Sequence, residues 1–214
     1  MLNLIDQLYL LALNEEKGNL IASTRKTFAY AYAGAVLDEL AVQSRLRLNE
    51  KSRVEVTNPA KTGDEVLDEA LKAIGGSDKH RRPAYWVGTL VEQSKKLRES
   101  LGDRLAGKGI LSREENRFFR ILSPELEIPT RYEMKHQLRA MVLLGAETDP
   151  SALALLTLLN AADLLDLVFT PDEMDMVQKD IHQRVLRYSL QNPAFQFVEE
   201  IEQAVINSIE DDSN

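Results

Sequence analysis

Cysteine is absent from the 214 residues, which excludes a disulfide framework, a thiolate metal site and a cysteine nucleophile together. The three histidines, His80, His136 and His182, lie far apart, and none pairs with another at metal-ligand spacing. No apolar run reaches the ~18–20 residues that a membrane-spanning helix needs; the longest candidate, Ser151–Phe169, is broken by Asn160, Asp163 and Asp166. The opening stretch MLNLIDQLYL lacks a basic start and carries Asp6 among its apolar residues, so a signal peptide is not expected. Catalytic signatures are missing too. There is no G-x-S-x-G elbow, and Gly107-Lys-Gly109 and Gly75-Gly76-Ser77 are too short to cradle phosphates and read as helix stops. Glu133-Met-Lys-His136 matches half of a di-iron carboxylate site, but Lys179 stands where the second half needs a glutamate before His182. These absences predict a protein without metal, cofactor or catalysis.

What the chain does have is a helix with no face for water. Phe28–Val42, FAYAYAGAVLDELAV, is uncharged up to Asp38 and mixes small residues with large ones. Such a helix belongs inside a bundle. Asp38 and Glu39 are expected to mark its return to the surface, and Thr24 or Thr27 its N-cap. Around it the spacing predicts helices over Leu2–Leu13, Asp64–Ile74 (from a Thr62–Glu65 capping box), Tyr85–Leu90 and Val91–Ala106. Further helices are predicted from a Thr130–Glu133 capping box to Leu144, over Ser151–Phe169 after the cap Asp149-Pro150, from Thr170-Pro171 to Leu190, and from Asn192-Pro193 to about Ile209. The last residues, EDDSN, are expected to fray. Alternating runs at Arg45–Leu48 with Arg53–Val56, and at Ile110–Ser112 with Phe118–Leu122, predict two hairpins. Ser77–Pro83 is a polar, basic surface segment. The class is therefore mainly α, with about nine helices and two small β-hairpins around a buried central bundle. Leu40–Leu46 and Leu105–Leu111 share one spacing, and each leads into a hairpin and then a proline (Pro59, Pro124), so helix–turn–hairpin occurs twice.

The formal net charge is −8, yet Lys79–Arg131 holds twelve Lys and Arg against seven Asp and Glu. An acidic chain is ill suited to general nucleic-acid binding. A basic middle suggests one anion-seeking face. Three readings follow. Helix–turn–hairpin outlines a winged helix for DNA, but Val91–Ala106 mixes Glu92, Glu99 and Asp103 with its cations. A membrane surface fits better: Lys95 and Arg98, three apart on a helix, can reach one phosphate. Phe118 and Phe119 between Arg117 and Arg120 suit the headgroup boundary. The third reading is a non-enzymatic adaptor that docks a protein through the same hairpin.

The segments LYLLALNEEKG (Leu8–Gly18), AGAVLDELAVQSRLRL (Ala33–Leu48), TGDEVLDEAL (Thr62–Leu71), LAGKGIL (Leu105–Leu111) and LLNAADLLDLVF (Leu158–Phe169) occur in the order seen in the Golgi phosphoprotein 3 family, which the chain resembles over nearly its whole length. The resemblance implies a single domain over residues 1–214, a buried four-helix core, a membrane-facing hairpin and no catalysis. It also implies a basic pocket for phosphatidylinositol 4-phosphate on the cytoplasmic face of a membrane. In that pocket Lys95 and Arg98 match the family's cation pair, and Arg25 is a candidate third charge. The family's tryptophan and remaining arginine fall at Ser23–Thr24 and Ala33, which leaves the headgroup open and fits a distant, prokaryote-like member. The long polar N-terminal tail of eukaryotic members is not expected here. Candidate partners are anionic phospholipid, cytoplasmic tails of membrane proteins, and a second copy through the hairpin.

Overall fold

Asn3 opens the first helix: its side chain accepts the Asp6 N–H at 3.0 Å while the Asp6 carboxylate accepts the Asn3 N–H at 3.3 Å. In the helix so started, α1 (Leu4–Ala12), every residue except Gln7 is buried. The computed structural model describes residues 2–14, 19–21, 24, 27–113, 119–121 and 131–213, without the side chains of 94–100, 113, 119–121 and 193–194. The N-cap expected at Thr130 lies outside the described residues.

The uncharged stretch forms α2 (Phe28–Val42), with the boundaries its composition implies. Gly34 sits where α2 meets two later helices. A Cβ there would run into the Leu158 side chain and stand 3.2 Å from Val205 Cγ2, so the missing side chain is what lets the helices approach. Neither threonine caps α2 through its hydroxyl: Thr27 makes no side-chain cap, and Thr24 donates to the Ile21 carbonyl at 2.8 Å. The expected surface at Asp38 and Glu39 is also corrected. Asp38 is fully buried, and Glu39 is half-buried with its carboxylate accepting the Leu4 N–H at 2.9 Å.

After α2 come β1 (Leu46–Leu48) and β2 (Val54–Val56), antiparallel with Leu46 opposite Val56. Next is α3 (Glu65–Gly75), whose cap is Asp64 rather than Thr62, since its carboxylate accepts the N–H groups of Val66 and Leu67. Thr62 instead bonds Asp68 Oδ1 at 2.7 Å. The two pieces expected at Tyr85–Leu90 and Val91–Ala106 are one helix, α4 (Pro83–Gly107), started by Pro83 and uninterrupted by Gly88. It ends at the Gly107–Gly109 stop, where Gly109 takes φ +72°. Then β3 (Leu111–Arg113) and β4 (Phe119–Ile121) pair with Leu111 opposite Ile121.

The second half is α5 (Arg131–Leu143), α6 (Pro150–Ala161), α7 (Met174–Ser189) and α8 (Pro193–Ser213). The single helix expected over Ser151–Phe169 stops at Ala161, because Asp163 adopts φ +55° and the chain continues as a 3₁₀ turn at Leu165–Leu167. A reciprocal Thr170–Glu173 cap precedes α7. The stretch EDDSN, expected to fray, continues α8 as helix to Ser213, whose hydroxyl donates back to the Ile209 carbonyl at 2.8 Å. Helices α1, α4, α6 and α8 all pack on α2. The class is mainly α with two small hairpins, comprising eight α-helices among the described residues.

Candidate functional site

Helix α4 spans 25 residues, which makes it about 37 Å long. Its core stripe is Trp86, Leu90, Leu101 and Leu105, all buried. Lys95 and Arg98 lie on α4, three residues apart and so neighbours on its surface. They continue a stripe whose flanking members, Val91 and Gly102, are both buried. The backbone of α4 thus carries Lys95 and Arg98 between these two positions. The side chains of both lie outside the described residues, as do Arg25, Arg117 and Phe118 altogether. Phe119 and Arg120 are in β4, opposite Arg113 and Ser112 of β3 respectively. Their side chains too lie outside the described residues. By the two-residue period of a strand, Phe119 and Arg120 occupy opposite faces of the hairpin.

What joins the helix to the hairpin is well defined. The N–H of Ile110 donates to the Leu105 carbonyl at 2.9 Å, and Ile110 and Leu111 are buried, so the hairpin base is seated in the core and β3 packs on α4. The last turn of α4 is tied down by an ion cluster that sequence reasoning missed. Arg104 Nη1 donates to Asp64 Oδ1 at 2.9 Å, and Nη2 lies 2.6 Å from Asp64 Oδ2 and 3.1 Å from Asp6 Oδ1. Lys108 Nζ donates to Asp6 Oδ2 at 2.6 Å. Asp6 is 1% exposed, so its charge is balanced inside the protein rather than by water. Asn3 Nδ2 closes the set on Asp64 Oδ2 at 3.1 Å. The cluster joins the start of α1, the cap of α3 and the end of α4. Its signal in the sequence was indirect: Asp64 and Lys108 belong to the two stretches TGDEVLDEAL and LAGKGIL, which meet here. Among the described residues, no helix is long and apolar enough to cross a membrane.

Comparison with known proteins finds relatives of this chain. The profile of the family described as Golgi phosphoprotein 3 (GPP34) matches residues 4–205. A vacuolar protein sorting-associated protein 74 from Eremothecium gossypii is 28% identical over 138 residues, covering 55% of this chain and 41% of the relative. Its namesake from Schizosaccharomyces pombe is 29% identical over 136 residues, 55% of this chain and 40% of the relative. The matched part thus spans about two fifths of the length of these curated relatives.

Proposed function

We propose, from the premise that the chain belongs to the Golgi phosphoprotein 3 family, that it is a non-catalytic peripheral membrane protein that binds anionic phospholipid. Lys95 and Arg98, with Arg25, hold a lipid phosphate of the phosphatidylinositol 4-phosphate type. The second hairpin, with Phe118 and Phe119 between Arg117 and Arg120, enters the headgroup boundary. The observation that carries this reading is the continuity of α4 with a core-seated hairpin, its last turn fixed by the Arg104 and Lys108 ion pairs. This junction ties the end of the helix that carries the basic stripe to the base of the hairpin, which suits two-point attachment to a surface. Each cation near an anionic surface adds about 1 kcal/mol, and the rings add apolar burial at the acyl edge. The protein acts on the cytoplasmic face, where membrane-protein tails or a second copy could engage the same hairpin.

Vesicle flotation tests the reading. The protein is expected to float with vesicles containing phosphatidylglycerol or phosphatidylinositol 4-phosphate, to release as salt rises, and to stay at the bottom with neutral vesicles. Lys95→Glu with Arg98→Glu should strongly weaken flotation. Flotation that ignores this double charge reversal would overturn the assignment. A lipid-free pull-down equally indifferent to it would favour a protein adaptor.

A further inference from the structure

The basic segment before α4 is docked on the first hairpin. The Val54 N–H donates to the Arg81 carbonyl at 2.8 Å, so the segment lies along the edge of β2. Arg53 Nη1 donates to the His80 carbonyl at 3.2 Å, and Asn49 Nδ2 meets His80 Nδ1 at 3.2 Å. The turn between β1 and β2 is itself held, because Asn49 Oδ1 accepts the N–H groups of Lys51 and Arg53 at 3.0 and 3.2 Å. That fixes which end of the Asn49 amide is the oxygen, so Nδ2 is the donor and His80 Nδ1 the acceptor. These bonds border an open groove of about 620 Å³ between the turn and the segment, within the range of small-ligand sites.

Its charge is lopsided. Arg47 and Glu55 neutralise one another across the hairpin at 2.7 Å. That leaves Lys51, Arg53 and Lys79 on the lining against the single carboxylate Glu50, with His80 between them. All three cations are exposed, and none has an ion-pair partner among the described residues. Arg81, the residue after His80 but not part of the lining, lies 4.8 Å over the ring of Tyr85. Cations gathered on an ordered surface repel, and a dianion between them relieves that repulsion. Because the backbone bonds have already set the turn and the segment, little ordering entropy opposes binding. The turn, Asn49–Ser52, offers no large apolar side chain to insert into lipid. The groove is therefore suited to capture of a charged group rather than to anchoring.

We infer that this groove is a phosphate-binding site distinct from the Lys95–Arg98 stripe, taking a phosphate ester either free in solution or on a lipid headgroup. About 18 Å of helix separates Pro83, next to the groove, from Lys95. The two sites are therefore not parts of one pocket.

The test is a ¹H–¹⁵N titration of the full chain with glycerol phosphate at constant ionic strength. Saturable shifts are expected at the amides of Lys51, Arg53 and Lys79. Lys51→Glu with Lys79→Glu, both exposed and free of side-chain hydrogen bonds, should weaken binding at least ~10-fold. The shifts at the Lys51, Arg53 and Lys79 amides should persist in Lys95→Glu with Arg98→Glu, which removes any binding at the helix stripe, so failure of the hairpin-membrane reading and of this one are told apart. Shifts that never saturate, or that survive the Lys51 and Lys79 reversals, overturn the proposal. The source of the phosphate is read in the Lys95→Glu, Arg98→Glu background with vesicles containing phosphatidic acid, whose headgroup is a phosphate monoester like glycerol phosphate. Residual vesicle binding that disappears on adding the Lys51 and Lys79 reversals assigns a headgroup. Retained glycerol phosphate binding with no vesicle binding assigns a free ester.

Discussion

Leu40 and Leu105 occupy the same place in two copies of one structural unit. The Leu40 carbonyl accepts the Arg45 N–H at 2.8 Å, and the Leu105 carbonyl accepts the Ile110 N–H at 2.9 Å, each across a turn that ends a long helix. The inner bonds match as well: Ser44 N–H to Ala41 and Gly109 N–H to Ala106, at 2.8 and 2.9 Å. One step on, Leu46 pairs with Val56 and Leu111 with Ile121, in the same register at the same offset along the chain. Each unit is followed by a further helix, α3 or α5. The proposed lipid-facing hairpin and the phosphate groove thus sit at corresponding stages of a duplicated helix–turn–hairpin.

The duplication makes a prediction at its turn. Ser44 and Gly109 both adopt the left-handed conformation, with φ of +56° and +72°. Only glycine does so without a Cβ penalty of about 1 kcal/mol. Ser44→Gly should therefore stabilise the protein by roughly 0.5 kcal/mol, net of the added freedom of the unfolded chain. Gly109→Ala should cost about 1 kcal/mol, although nothing crowds its Cβ. Urea unfolding midpoints of the two variants should move in opposite directions.

What could be read in advance follows the range of the interactions. The caps at Asp149 and at Thr170 with Glu173 are made within three residues, and both helix starts were legible. The duplicated spacing was legible because its bonds are local. The burial of Asp38 was not, because it depends on α8 folding back over α2, far along the chain. Nor was the break at Asp163, where leucines on both sides continue the apolar pattern while the backbone turns left-handed. At the sites, the three-residue spacing of Lys95 and Arg98 could be seen directly. The partner of Lys108 could not, since Asp6 precedes it by 102 residues. The first-hairpin groove was equally hidden, because Lys51 and Lys79 come together only when residues 79–82 dock on β2.

Arg104 should be the most sensitive charged position. It is 16% exposed in its side chain and faces two carboxylates, Asp6 and Asp64. Arg104→Ala leaves Asp64 without its counter-charge and Asp6 with Lys108 alone, and removal of one partner from a buried pair costs about 3–5 kcal/mol. Arg104→Lys should recover part of the loss, because a single ammonium cannot reproduce the two-point contact with Asp64. Combining Arg104→Ala with Asp64→Asn should cost less than the sum of the single changes. An additive result in a urea-unfolding double-mutant cycle would show that the pair is not coupled.

Asp38 sets a pH dependence of the opposite sign to that of a surface ion pair. Its carboxyl is fully buried, and neither oxygen meets a hydrogen-bond partner among the described residues. Burial pushes its pKa well above the ordinary carboxylate range, and the neighbouring Glu202 and Glu39 push the same way. Glu202 is raised as well, first by its own burial, against the Asn160 amide that donates to it at 3.2 Å. A carboxyl that keeps its proton longer in the folded state than in the unfolded chain favours folding at low pH. That advantage is lost as pH rises from the ordinary carboxylate value through the raised one. Asp38→Asn carries no such proton. Its melting temperature should equal that of the parent near about pH 4 and exceed it near about pH 8, with a shallower fall between. Glu202 remains in this variant and should preserve part of the slope. Thermal unfolding of both proteins across that range decides the matter: a variant that loses stability with pH as steeply as the parent would mean that Asp38 is ionised in the core.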